Sequence, residues 1–108
     1  FGPQIAENNT VLDLVKKMGE SWEKVKWICN EAESKQYESG LLKLNCDKAF
    51  FDLNWHSVLS FDETVRYTIE WYKKFYEDNS NIQSMSLKQI DNYVALASKQ
   101  YLGWAIQK

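Results

Sequence analysis

Apolar positions recur along this chain at two spacings, three to four residues in some stretches and two in others. Val11, Leu12, Val15 and Met18 fall on one face of a helix, with Lys16 and Lys17 on the other. Thr10 precedes them and Asp13 stands three residues on, the spacing of a capping box, while Gly19 reads as a stop. Val25, Trp27 and Cys29 alternate with Lys24, Lys26 and Ile28, which predicts a strand with Trp27 facing inward. Leu42-Lys43-Leu44 predicts a second short strand with one buried face. Asn45 then caps a short helix carrying Asp47, Ala49, Phe50 and Leu53, and Asn54 is placed to end it in the left-handed conformation.

The strongest helical signal comes next. Ser60 and Glu63 form a second capping box, followed by Val65, Thr68, Ile69, Tyr72, Phe75 and Tyr76 as one apolar stripe. Ile69 and Tyr72 are expected to pack on the Phe50 and Leu53 face of the short helix. A third box, Ser86 to Gln89, predicts the start of a last helix with Leu87, Ile90, Tyr93, Val94 and Ala97 inward and Gly103 weakening its end. The expected class is therefore α+β: a mainly helical piece with a small sheet.

Composition adds limits. A chain of 108 residues makes one domain with a modest core. Thirteen basic and 15 acidic residues are interspersed for a net charge of −2, with no basic footprint for a nucleic-acid backbone. No apolar run reaches the roughly 18 residues of a membrane span, and no signal-peptide pattern is present. Cys29 and Cys46 form no C-x-x-C pair and are expected to be buried thiols; His56 has no clustered partner that would make a zinc site. The start on Phe1-Gly2-Pro3 without Met predicts a piece of a longer protein.

Four short motifs resemble a known superfamily. Leu42-Lys43-Leu44 through Leu53-Asn54-Trp55 resembles the "L-K-L-D-x-S-K-A…L-G-W" segment near the C-terminus of extended short-chain dehydrogenase/reductases acting on nucleotide sugars. Phe1-Gly2-Pro3 resembles the end of a "W-N-F-G-P" strand, and Glu70-Trp71-Tyr72-Lys73 a late "x-W-Y-K" helix. Ser86 to Ile90 with Tyr93 resembles a closing "T-L-x-Q-I-x-x-Y". Tyr37-Glu38-Ser39 stands where the family has "H-E-A". Within the superfamily the likeness is to the CDP-glucose 4,6-dehydratases, and it runs to about Tyr93. Asn45 and Asn54 stand where the family pattern has Asp and Gly, and the Pro that follows its L-G-W turn is replaced by His56-Ser57.

That resemblance implies that residues 1–108 form a single C-terminal substrate-lobe segment, without the Rossmann NAD-binding part. The parent enzyme, a lyase, would oxidise the sugar of a nucleotide sugar such as CDP-glucose at C4 with NAD. It would then eliminate water across C5–C6 and return hydride to C6. The implied setting is a cytoplasmic homo-oligomer serving deoxysugar synthesis for surface polysaccharide. Glu38 would accept hydrogen bonds from ribose hydroxyls or a cytosine amino group, Tyr37 would stack on the base, and Lys43 would reach the diphosphate. Each also reads as an ordinary side chain: a solvated loop glutamate, a partly packed aromatic and an exposed strand lysine. The four glycines include no G-x-x-G-x-x-G array, and no Tyr has a Lys four residues later. Catalytic residues and an NAD cradle are therefore not expected here. The reading from a different class is a free-standing helical interaction module whose Trp104 and Ile106 meet a partner. A segment of another nucleotide-sugar epimerase or dehydratase is the alternative within the superfamily.

Overall fold

The computed structural model describes Gly2, residues 9–28 and residues 44–106. Four α-helices occupy most of this: α1 (Val11–Ser21), α2 (Asp47–Leu53), α3 (Phe61–Glu77) and α4 (Ile82–Lys99). A single 3-10 turn, Asn79–Asn81, joins α3 to α4. No strand occurs among the described residues, so the expected α+β class with a small sheet is corrected to an all-helical arrangement.

The reason is visible at both expected strands. Residues 25–28 are irregular. Trp27 does not face into a sheet but lies over Gly19, where an added Cβ would come within 3.0 Å of the indole ring. Gly19 thus seats a ring inside α1 and does not stop the helix, which continues to Ser21. Leu44 is irregular and 62% exposed, and Leu42 and Lys43 lie outside the described residues. Alternation over three to five residues cannot make a strand without a neighbour to pair with its backbone.

Where signals were local, sequence and structure agree. Thr10 Oγ1 accepts from the Asp13 backbone at 3.1 Å, and the Asp13 carboxylate accepts from the Thr10 backbone at 2.8 Å. Ser60 and Glu63 repeat the arrangement at the head of α3. In both boxes the acidic carboxyl is held below its ordinary range by the hydrogen bonds it receives, from Thr10 and from Ser60 respectively. Asn54 adopts φ 48° and ψ 37° and ends α2, with the Trp55 backbone N–H donating to the Ala49 carbonyl at 3.2 Å. The N-cap of α2 is Cys46, not Asn45; Asn45 Oδ1 instead accepts from the Asp47 backbone at 2.7 Å.

Helix α3 is the centre of the packing, flanked by α1 on one side and α4 on the other. Val65 and Ile69 are its buried residues. Tyr72 is not: it is 45% exposed, and α3 does not pack on α2. Phe50 instead meets His56 and Phe51 edge-on, at ring centroids of 4.8 and 5.2 Å. A second cluster joins the loop before α3 to the far end of α4, with Val58, Ala97 and Ala105 buried and Tyr93, Val94, Leu96 and Leu102 against them. Gln100 Nε2 donates to the Val58 carbonyl at 2.9 Å and closes this end. Tyr101, at φ 58°, turns the chain out of α4 in the left-handed region, a step that precedes Gly103.

The third capping box was a misreading. Helix α4 begins at Ile82, four residues before Ser86. Ser86 Oγ donates to the Ile82 carbonyl and accepts from Trp71 Nε1, both at 2.9 Å, and Gln89 Nε2 donates to the Tyr67 carbonyl at 2.9 Å. Both side chains cross-link the α3–α4 hairpin. Leu87 and Ile90, expected inward, are 55% and 58% exposed.

Candidate functional site

Glycine at position 2 is dictated by its neighbours. A Cβ there would meet Leu44 Cβ and Cδ1 at 3.0 Å and Cys46 Sγ at 3.5 Å. Gly2 and the start of the Leu44 to Trp55 stretch are therefore in contact. Close by, Trp55, Val58, Phe61 and Tyr93 line an open pocket of about 320 Å³ together with Gly2. Its members come from three of the four motifs that carry the family resemblance: Gly2 from the first, Trp55 from the second and Tyr93 from the last. The fourth, around Trp71, lies on α3 and is bonded to Ser86 on α4, the helix that carries Tyr93.

The pocket is lined mainly by aromatic and aliphatic side chains. Aromatic walls supply area, and the polar groups at the rim are the hydroxyls of Ser57 and Thr64. Thr64 Oγ1 already donates to the Ser60 carbonyl at 2.8 Å, so it is left as an acceptor. Among the described residues, no carboxylate, lysine or histidine lines the pocket.

Tyr37, Glu38 and Lys43, the candidate substrate-binding residues, lie outside the described residues, as does Cys29. Leu44, the first described residue after them, is the one that packs on Gly2. Cys46 is a partly buried free thiol. Lys48 pairs with Asp52 at 2.8 Å on the surface of α2, a solvated helix pair with no ligand role. His56 is exposed with its ring on Phe50. No group of His, Cys, Asp and Glu able to hold a metal is found among the described residues, and no described helix is long and apolar enough to cross a membrane. The convergence on Gly2, Trp55 and Tyr93 was missed in the sequence. Each residue read as a separate anchor, and only their order in a known pattern could have linked them.

Comparison with known proteins returns an enzyme. CDP-glucose 4,6-dehydratase of Salmonella typhimurium is 28% identical to this chain over 100 residues, 92% of the chain. The relationship is distant. It is also partial, since the match covers 27% of that protein's length. No family model matches the chain. No solved structure matches it either.

Proposed function

We propose that this chain is a substrate-lobe segment of a nucleotide-sugar dehydratase of the CDP-glucose 4,6-dehydratase type. The observation that carries this reading is the similarity to the Salmonella typhimurium enzyme, continuous over 92% of the chain. The open surface supports it. Phe51, Leu53, Tyr76, Ile90 and Tyr101 are all more than half exposed, which is unusual for a self-sufficient domain. The radius of gyration is 17.0 Å, against roughly 13 Å for a compact chain of this length. In this reading the remainder of a longer enzyme covers these faces.

NAD belongs to that remainder. This chain has no glycine array to bring backbone N–H groups against a pyrophosphate and no Tyr-x-x-x-Lys pair, so none of its residues fits the cofactor. Its own contribution is to bind and orient the nucleotide sugar. Glu38 accepts from the ribose or cytosine, Tyr37 stacks on the base and Lys43 faces the diphosphate. The parent is a cytoplasmic homo-oligomer. Trp104 and Ile106, the residues of the interaction-module reading, are 58% and 45% exposed, with one face of the Trp104 ring stacked on Tyr93 at 6.0 Å.

A chimera tests the proposal: this chain replaces the matched segment of the Salmonella typhimurium enzyme. It is expected to dehydrate CDP-glucose, and Glu38→Gln should raise KM more than it lowers kcat. The loss of one charge-assisted hydrogen bond, roughly 1.5–3 kcal/mol, corresponds to about ten- to a hundredfold in KM. A chimera that folds and retains NAD yet forms no 4-keto sugar would overturn the reading. Unchanged kinetics for Glu38→Gln would remove Glu38 from the site.

A further inference from the structure

Between α3 and α4 runs a polar groove of about 420 Å³. Arg66, Glu70 and Lys74 line it from α3, and Ser84, Lys88 and Asn92 from α4. Each set is spaced by four residues, so each forms a row along one helix face. The bonds from Gln89 to Tyr67 and from Trp71 to Ser86 fix an antiparallel register. That register sets Arg66 close to abreast of Asn92, Glu70 of Lys88, and Lys74 of Ser84. The groove therefore carries cations toward both ends of α3's row and a carboxylate facing a lysine between them.

On this surface some opposite charges at helical spacing pair, Lys17 with Glu20, Lys48 with Asp52 and Lys74 with Asp78, while others such as Lys73 and Glu77 do not. Arg66 and Glu70, four residues apart on α3, form no ion pair with each other. Neither they nor Lys88 makes a side-chain hydrogen bond or ion pair with any described residue. The Arg66 guanidinium instead lies over the Tyr67 ring, 5.6 Å from its centroid.

We propose that this groove binds a sugar phosphate. Arg66 and Lys88 supply the charge and donors that a phosphate monoester takes. Glu70 is an acceptor only, which suits sugar hydroxyls and repels phosphate, so it fixes the ligand's direction. Asn92 and Ser84 supply further hydroxyl partners at either end. The volume is that of a small-molecule site, about 300–1,000 Å³ in general. A nucleobase is disfavoured because the aromatic face lining the groove, Tyr67, is already occupied by Arg66. A continuous polyanion is disfavoured by Glu70. The inference does not depend on the dehydratase reading, since it uses none of Tyr37, Glu38 or Lys43.

Titration of the 108-residue chain with glucose 1-phosphate, glucose and inorganic phosphate, followed by backbone amide NMR shifts, tests it. Glucose 1-phosphate should shift the amides of residues 66–74 and 84–92 and bind at least tenfold more tightly than either other compound. Arg66→Gln and Lys88→Gln should each weaken it at least tenfold. Glu70→Gln should weaken glucose 1-phosphate while leaving inorganic phosphate equal or tighter. Absence of groove shifts at millimolar glucose 1-phosphate would overturn the proposal. So would inorganic phosphate binding as tightly as the sugar phosphate, or a Lys88→Gln chain that binds as the parent does.

Discussion

Helix α2 and the α3–α4 hairpin both carry large apolar side chains and are held in opposite ways. Among the described residues, the side-chain bonds and cap of α2 are local: Asn45 to Asp47, Lys48 to Asp52, and the left-handed turn at Asn54. Its large side chains remain in water, with Phe51 78% and Leu53 64% exposed. The hairpin is joined across its helices by Trp71 to Ser86 and Gln89 to Tyr67, and Ile69 at its centre is 2% exposed. A seven-residue helix is marginal by itself, because its nucleation cost is spread over few hydrogen bonds. Capping thus defines where α2 starts and ends, while burial makes the hairpin stable.

The sharpest way to break that contrast is truncation of one apolar side chain in each region. Ile69→Ala should cost roughly 2–5 kcal/mol through lost burial and the cavity left behind. Phe51→Ser should lie within about 0.5 kcal/mol of the parent chain, as exposed substitutions do. Urea melts would rank them. An Ile69→Ala chain as stable as the parent would move the core away from α3.

A smaller effect is expected where the hairpin is cross-linked by polar groups. Ser86→Ala leaves Trp71 Nε1 without its partner and should cost about 1–2 kcal/mol. Amide exchange would place the loosening in residues 82–90, with α1 unchanged. Uniform loosening would mean that this bond contributes nothing specific to the hairpin.

The smallest effect separates the caps from the core by pH. The Asp13 and Glu63 carboxyls are lowered from ordinary values of 3.8 and 4.5 by hydrogen bonds from Thr10 and Ser60. Asp78 is lowered further, first by Lys74 and then by Ser80. A carboxyl lowered in the folded state contributes stability that is present above its unfolded value and is lost as pH falls through its folded one. Acidification below about pH 4 should therefore loosen the heads of α1 and α3 and the α3–α4 turn, with Ile69 protected longest. Lys17 works in the opposite sense: Asp62 and then Glu20 raise its amine, so its contribution is lost only as pH climbs beyond the ordinary lysine value of 10.5. All four groups lie at the surface, Asp13 and Asp78 exposed and Glu63 and Lys17 half-buried, so the effects are small and screened by salt. Ser60→Ala, which removes a cap of this kind, should cost about 0.5–2 kcal/mol and flatten the acid response at α3.

Much of the helical framework was written locally in the chain. Thr10 with Asp13 and Ser60 with Glu63 announce two helices, since a cap is a bond between residues three apart. Asn54 announces a stop because few side chains tolerate its backbone conformation. Faces and partners were another matter. Tyr72, Leu87 and Ile90 belong to helical stripes that read as inward, yet they are exposed, because a stripe records what a helix can bury and not which neighbour reaches it. Ser86 and Gln89 have the spacing of a cap and serve as cross-links, a role that depends on Trp71 and Tyr67 arriving from another helix. Gly19 read as a terminator until the ring of Trp27 was found against it. The contact of Gly2 with Leu44 and the gathering of Trp55 and Tyr93 around one pocket join residues separated by tens of positions. No local rule encodes such contacts, because their energy exists only after the chain has closed upon itself.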